Sequence, residues 1–195
     1  MKCLYCDSNI SRYTLKSFLL KDDLLCGDCR RKLKVNKKII EINKIRIETY
    51  FEYESIYKDL LIQYKECYDE ALADVFLYDL KEYLEIKYFG YTLVFVPSSN
   101  LKLNERGFNH LEKMFDTVKL NKSNAINIKQ DIIQQGKTKE ERKEIIDNYY
   151  YVGGYIKKAL LVDDVVTTGS SLLASYKAIK PYCGSIKTLA LARAK

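Results

Sequence analysis

The segment Ala159–Ser171, ALLVDDVVTTGSS, decides the fold. Ala159 to Val162 is a short apolar run of the kind buried on both faces of a parallel sheet. Asp163 and Asp164 are therefore expected at the carboxyl edge of a strand, where open α/β sheets place their ligands. Vicinal carboxylates at such an edge accept hydrogen bonds from a diol or hold a hydrated divalent cation. Val165 and Val166 then lead into Thr167, Thr168, Gly169, Ser170 and Ser171, which offer hydroxyls and open backbone N–H groups. These open a helix whose apolar face is Leu172, Leu173, Tyr176 and Ile179. Backbone donors and the helix dipole together favour a dianion. A sugar diol beside a dianion describes a ribose 5-phosphate. The plainer reading of the same residues is a buried strand, an ordinary turn and a capped helix, but capping alone does not account for paired acids followed by Thr-Thr-Gly-Ser.

At these residues the chain resembles the type I phosphoribosyltransferases, whose signature is an apolar strand, two acids, a small turn and a phosphate loop. The resemblance implies that Asp163 and Asp164 are the catalytic acids and contact the ribose hydroxyls of phosphoribosyl pyrophosphate. It further implies that Val165 to Ser171 wraps the 5-phosphate and that Mg bridges the pyrophosphate. Purine-salvage members carry an aspartate where Thr167 stands, and a threonine is a poor general base.

At the other end of the chain, Cys3-Leu-Tyr-Cys6 and Cys26-Gly-Asp-Cys29 form two CxxC pairs separated by nineteen residues. Spacings of about 15–20 residues between such pairs read as a closed tetrahedral zinc site. Four thiolates leave no open position for catalysis, so zinc here is expected to be structural. Met1 to Ile10 lacks the apolar run of a signal peptide, and no apolar stretch approaches the ~18 residues of a membrane span. The chain is accordingly expected to be cytoplasmic, reduced and free of membrane insertion. Cys67 and Cys183 stand alone and read as fillers of core or surface.

With 195 residues, 47% of them hydrophobic, there is enough chain for a sizeable core. The expected division is a zinc-ribbon element over 1–44 and one α/β domain over 45–195. The formal charge of +7 is moderate, and 17 tyrosines accompany it. Lysines and arginines concentrate in Arg30 to Lys38 and again in Lys137 to Lys143. Basic residues interleaved with aromatics follow a nucleic-acid backbone and stack bases; the alternative is a solvated surface with tyrosines packed in the core.

Alternation of Ile45, Ile47, Thr49, Phe51 and Tyr53 predicts strands or a hairpin. Ser55 is the expected cap of a helix carrying Ile56, Leu60, Leu61 and Tyr64, with Lys65 near its end within reach of a phosphate. A second helix is expected from Asp69, with Leu72, Val75, Phe76, Leu80, Tyr83 and Leu84 on its face and Gly90 beyond its end. Thr92 to Val96 reads as a central strand, Phe108 to Val118 as part of a helix, Tyr149 to Val152 as extended chain and Ser185 to Ala192 as the last strand. Strands alternating with helices predict a parallel α/β sheet. After the strand at Thr92 to Val96, Pro97, Ser98 and Ser99 leave the sheet edge, and Asn104 to His110 starts the following helix. A second strand-end loop with Arg106 close by is what a pyrophosphate requires. His110, the only histidine, is assigned no catalytic part and is expected on a helix surface. Gly136-Lys137-Thr138 is not a P-loop, because Asp131 occupies the position of its first glycine. Gln135 to Arg142 instead reads as a basic flap that closes over a phosphorylated ligand with Lys137, Lys139 or Arg142.

Taken together, these pieces resemble the ComF family of competence proteins, an N-terminal four-cysteine zinc element joined to a type I phosphoribosyltransferase fold. The carriers are the two CxxC pairs, the helix with Lys65, Val96-Pro97, Glu105 to His110 (ERGFNH), Gln135 and Arg142, and LLVDDVVTTGSS. The chain departs from the family pattern at Ser99, where a second proline is usual, and at Ile145, where an asparagine is usual. The resemblance implies a role in natural transformation, handling single-stranded DNA alongside a helicase-like ATPase partner. Two other functions stay open beside transfer from phosphoribosyl pyrophosphate in competence: a non-catalytic adaptor for ribose phosphate and single-stranded DNA, and a nucleotide-salvage phosphoribosyltransferase.

Overall fold

The structure is a computed structural model and describes residues 1–10, 23–129 and 148–194. The flap residues Gln135, Lys137, Lys139 and Arg142 lie outside the described residues.

A six-stranded sheet organises the chain. Strand β1 (Lys38–Ile42) turns back on β2 (Ile45–Glu52) as an antiparallel hairpin. Its two-residue turn, Asn43-Lys44, has positive φ at both positions (52° and 65°), the backbone twist that matches the twist of the flanking strands. The hairpin thus spans the position, near Lys44, at which the composition of the chain changes. The remaining strands are β3 (Thr92–Phe95), β4 (Asn121–Ser123), β7 (Ile156–Val166) and β8 (Cys183–Arg193). Spatial order is β1-β2-β8-β7-β3-β4, and every pairing except β1–β2 is parallel. The chain is therefore a mixed α/β protein with a mostly parallel central sheet. Two further short strands, β5 (Ile126–Ile128) and β6 (Tyr149–Tyr151), form a separate antiparallel ribbon beside helix α7 (Ser170–Ile179).

Strand β7 is longer than its apolar core. Ala159 to Val162 is buried as expected, between β8 and β3. The strand continues through both aspartates to Val166, because β8 keeps pairing with it: Asp163 lies opposite Ala190 and Val165 opposite Ala192. On the β3 side, pairing ends where Val96 N–H donates to Val162 O at 2.9 Å. The aspartates are held by one neighbour and open toward the other, and the turn shrinks to Thr167-Thr168-Gly169.

Helices fill the connections. The helix expected after Ser55 is α2 (Ser55–Glu66), burying Ile56, Tyr57, Leu60, Leu61 and Tyr64; Ser55 itself has a φ of 48° and is not the cap. Asp69 does act as a cap, accepting from Ala71 N–H at 3.2 Å. The single helix expected beyond it is a 3₁₀ turn (Glu70–Leu72), α3 (Ala73–Leu77) and α4 (Lys81–Lys87). The break has a tertiary cause. Arg30 Nη1 donates to Val75 O at 3.0 Å, taking the carbonyl that a continuing helix would offer to Asp79, and the same guanidinium lies over the Tyr78 ring. The ERGFNH segment also divides: α5 (Asn100–Arg106) ends at Gly107, whose φ is 78°, and α6 (His110–Met114) starts after Asn109. Glycine serves as the helix stop here because a left-handed residue closes the last turn at no steric cost. Asn109 caps α6 by accepting from Leu111 N–H at 3.2 Å and Glu112 N–H at 3.4 Å. Part of the aromatic volume is internal, with Tyr50, Tyr57, Tyr64 and Tyr88 fully buried, while Tyr68, Tyr83, Phe89 and Tyr155 are exposed.

Residues 1–10 and 23–33 bring the four cysteines together around α1 (Gly27–Lys32), and Cys3, Leu25, Cys29 and Leu33 are buried as part of the same apolar core. Asp23 braces this corner: it accepts from Arg30 Nη2 at 2.6 Å and from Leu25 N–H at 2.9 Å. No described helix is long and apolar enough to cross a membrane.

Candidate functional site

The carboxyl ends of β3 and β7 open into a cleft of ≈ 740 Å³. From β7 and its loop come Asp163, Asp164, Val165, Thr167 and Ser171; from the segment after β3 come Pro97, Ser98 and Ser99; from helices come Lys65 and Arg106. Sequence regions far apart thus converge on one cleft. Val166 does not reach the cleft: it is a buried strand residue paired with Arg193. Thr168, Gly169 and Ser170 continue the turn beside the cleft wall, with Thr168 Oγ1 and Ser170 Oγ 2.9 Å apart. Ser99 caps α5, accepting from Lys102 N–H at 3.3 Å, while Ser98 turns toward His110.

Gly169 enters α7 with a φ of +72°, and a Cβ there would stand 3.0 Å from Ile42 Cγ2. Both facts demand glycine at this corner. Gly169→Ala is expected to cost about 1–2 kcal/mol from the left-handed backbone alone. For a chain of this size that lowers Tm by roughly 2–8 °C. A calorimetric melt indistinguishable from that of the parent chain would show that the corner relaxes freely.

Consecutive strand residues point to opposite faces, and the two aspartates have separate environments. Asp164 is buried; its Oδ1 accepts from Val165 N–H at 2.7 Å, and its Oδ2 accepts from Lys65 Nζ at 2.6 Å. His110 Nε2 approaches the same oxygen at 3.0 Å, off the line of an aligned hydrogen bond. Burial alone raises this carboxyl, but the Lys65 charge, with the His110 ring beside it, overturns that and holds Asp164 well below the usual carboxylate range. Asp163 is half-buried at the cleft wall, and its Oδ1 accepts from Asp164 N–H at 2.9 Å. Burial, reinforced by the Asp164 charge beside it, pushes Asp163 well above the usual range. The two neighbouring carboxyls are thus pushed in opposite directions by their surroundings.

His110 is the residue the sequence reading missed. It lies buried against the floor of the cleft and not on a helix surface. Arg106 Nη1 stands 3.0 Å from His110 Nδ1, and Arg106 Nε donates to Lys65 O at 3.0 Å. A guanidinium only donates, so Nδ1 is the acceptor and the ring proton sits on Nε2, facing Asp164. Burial lowers the imidazole further, against the pull of Asp164. The ring is thus neutral, and with Nδ1 taken by Arg106 it is no base toward Ser98, whose Oγ is 3.2 Å away. Arg106 itself is buried, in agreement with a fixed guanidinium and not a surface charge. Lys65 is three-quarters covered and bound to Asp164, and burial, which alone would lower its ammonium, is outweighed by that carboxylate.

The second candidate centre is the four-cysteine cluster. The Sγ atoms of Cys3, Cys6, Cys26 and Cys29 lie within 4.8 Å of one another, and Cys6 and Cys26 are 3.7 Å apart. A tetrahedral site with Zn–S bonds of ~2.3 Å separates its sulfurs by about 3.8 Å. The fit is close. The Ser8 hydroxyl, 3.1 Å from Cys6 Sγ, lowers the Cys6 thiol and is the main cause that brings Cys26 down to about 6, while burial pushes Cys29 up. Lowered thiols suit a metal such as zinc, which requires deprotonated sulfur. Cys67 is exposed and Cys183 half-buried, both apart from this cluster.

The basic run after the last cysteine is largely committed to partners within the chain. Arg30 pairs with Asp23, Arg31 with Asp28 and Lys38 with Glu52, while Lys37 lies 2.7 Å from the Tyr83 hydroxyl. A longer basic feature runs elsewhere, joined by tyrosine rings. Lys37 and Lys87 lie over Tyr83, Lys87 and Lys187 over Tyr88, and Lys187 and Lys158 over Tyr91, each within 5.0–5.7 Å of the ring centroid. Lys158 and Lys187 make no ion pair among the described residues. The sequence reading did not anticipate this row, because its members come from four separate parts of the chain.

No family model matches this chain, and no curated protein matches it in sequence.

Proposed function

We propose that the chain is a ribose-phosphate-binding protein of the ComF type. On this reading a type I phosphoribosyltransferase domain over 45–195 takes phosphoribosyl pyrophosphate with Mg in the cleft, and a zinc element over 1–44 serves as structural anchor. One observation carries the reading: a pair of aspartates at the open carboxyl edge of a central parallel strand, followed within a few residues by a Thr-Thr-Gly turn into a helix. The diol falls to the acids and the 5-phosphate to the turn, while Ser98, Ser99 and Arg106 stand where a pyrophosphate extends. Mg, when bound, supplies charge neutralisation of that pyrophosphate; no residue besides the acids is assigned to hold it. Stabilisation of the charge that builds on the departing pyrophosphate is then the catalytic contribution.

The competence role follows the family resemblance, with single-stranded DNA as a second ligand and a helicase-like ATPase as partner in the cytoplasm. Lys158 and Lys187, the members of that row without an ion pair among the described residues, support a polyanion partner, since such lysines are free to neutralise phosphates. Lys37 and Lys87, by contrast, both lie against Glu48. A second reading, an adaptor that binds ribose phosphate without turning it over, is favoured by the engagement of Asp164 with Lys65 and His110. Salvage of a purine is disfavoured by Thr167, which offers no carboxylate to activate a base.

Titration calorimetry with phosphoribosyl pyrophosphate and Mg is expected to give saturable heat. The Asp163→Asn, Asp164→Asn double variant is expected to lose at least about tenfold in affinity, with single-stranded DNA binding retained. Pyrophosphate release over a panel of acceptors then separates transferase from adaptor. Absence of heat with any ribose 5-phosphate overturns the whole reading.

A further inference from the structure

In the type I reading, two acids at the end of the strand share the task of recognising a sugar diol. The geometry of this cleft leaves only one of them free. Asp164 is spent on the protein: one oxygen receives the Val165 amide at 2.7 Å, and the other receives the Lys65 ammonium at 2.6 Å with the His110 ring 3.0 Å away. Its side chain is 7% exposed, so even an unused lone pair has little access to a ligand. The partners that hold it are themselves fixed. Arg106 bonds the Lys65 backbone carbonyl and His110 Nδ1, so the helix end that carries Lys65 is held in place and the ring does not swing away without breaking a second contact. Asp163 differs. One oxygen accepts from the Asp164 amide at 2.9 Å, no other described side chain or backbone group hydrogen-bonds to its carboxyl, and it is half-buried at the cleft wall where Asp164 is buried.

We infer that the site reads a single hydroxyl of the sugar, through Asp163, and is indifferent to the other. The inference rests on the cleft taking a ribose 5-phosphate, and it narrows the ligand class: pentose 5-phosphates lacking one of the two secondary hydroxyls bind as well as ribose 5-phosphate. Lys65, His110 and Arg106 act as positioning residues in this account, because they remove Asp164 from recognition. Deleting the partner of a hydrogen bond to a carboxyl changes affinity by about tenfold. The hydroxyl that is not read contributes nothing of that size.

The test compares three probes on the full chain by titration calorimetry: ribose 5-phosphate, 2-deoxyribose 5-phosphate and 3-deoxyribose 5-phosphate. One deoxy sugar is expected to bind within about threefold of ribose 5-phosphate, and the other about tenfold or more weaker. Asp163→Ala, at a half-buried position that tolerates truncation, is expected to bring all three within about threefold of one another. Two deoxy sugars that are both tenfold weaker show that Asp164 also reads the sugar and overturn the inference. Two that both match ribose show that Asp163 reads neither hydroxyl, which overturns it equally. If none of the three binds, the ribose-phosphate reading itself fails, and the inference falls with it.

Discussion

Lys65→Met is expected to destabilise the chain by about 3–5 kcal/mol, because it strips a buried carboxylate of its counter-charge. Asp164 sits deep beside the central strand, and Lys65 Nζ is its closest cation at 2.6 Å. Removing one partner of such a pair costs more than the pair contributes, since the remaining charge has neither water nor an ion to answer it. His110 is no substitute: its ring is buried, neutral and turned slightly off the line to Asp164. Against a total stability on the order of 5–15 kcal/mol for a domain, the loss is large. Urea denaturation measures it directly, with a fall in Tm of roughly 6–20 °C as the companion readout.

The pH dependence of that loss distinguishes an ion pair from lost packing. In the parent chain Asp164 has a native carboxyl held below its unfolded value of about 3.9. Its contribution is therefore fully present above that pH and lost as pH falls through the lowered native value. Without Lys65 burial is opposed by His110 alone, the native carboxyl rises above its unfolded value, and the variant loses stability as pH rises through it. The deficit is then largest at neutral pH and shrinks on acidification toward about pH 4. Lys65→Met with Asp164→Asn is expected to recover at least half of it, since the orphaned charge is gone. A deficit under about 1 kcal/mol, or one that ignores pH, marks the pair as solvated in the manner of a surface salt bridge.

What the sequence made legible is what local chemistry dictates. The strand ending in Asp163-Asp164, the turn through Gly169, the strands at Thr92 and Ser185 and the helix after Ser55 each announce themselves within a dozen residues. What it hid depends on contacts between distant segments. The helix from Asp69 breaks because Arg30, beside the cysteines, takes the Val75 carbonyl. His110 is buried because Asp164, Arg106 and Ser98 surround it, and nothing in its immediate neighbours foretells a carboxylate on another strand. Strand β1 was concealed by the basic run that ends on its first residue, Lys38, and β4 and β5 are three residues each, too short for alternation to register. The split of ERGFNH into two helices was within reach, because a glycine between two short amphipathic runs is a helix stop; the segment reads as one helix start only if Gly107 is passed over.

Zinc removal is expected to unravel the N-terminal corner while sparing the sheet. The purified chain should hold about one zinc ion, and its chelation, or Cys29→Ser, should abolish amide protection over 1–10 and 23–33. Among the described residues the corner is otherwise closed by individual hydrogen bonds, such as those from Leu25 N–H and Arg30 to Asp23 and from Ile10 N–H to Met1 O. Cys3 N–H donates to Ser8 O at 2.9 Å and Leu4 N–H to Leu24 O at 3.0 Å, and α1 is a single six-residue helix. Structural zinc sites in small domains supply about 10–16 kcal/mol of apparent binding energy, far more than those hydrogen bonds. The consequence reaches into the body of the protein. Leu25 and Leu33 lose their cover, at about 1.5–3 kcal/mol each, and Arg30 loses the scaffold that holds it on Val75 O, so protection should also weaken at the turn between α3 and α4. Strands β3, β7 and β8 depend on none of these contacts and should keep theirs, which hydrogen exchange read segment by segment can establish. A chain that carries no metal yet keeps its first ten residues protected would show that apolar packing of Cys3, Leu25 and Leu33 is sufficient, and that the four sulfurs converge without a metal to bind.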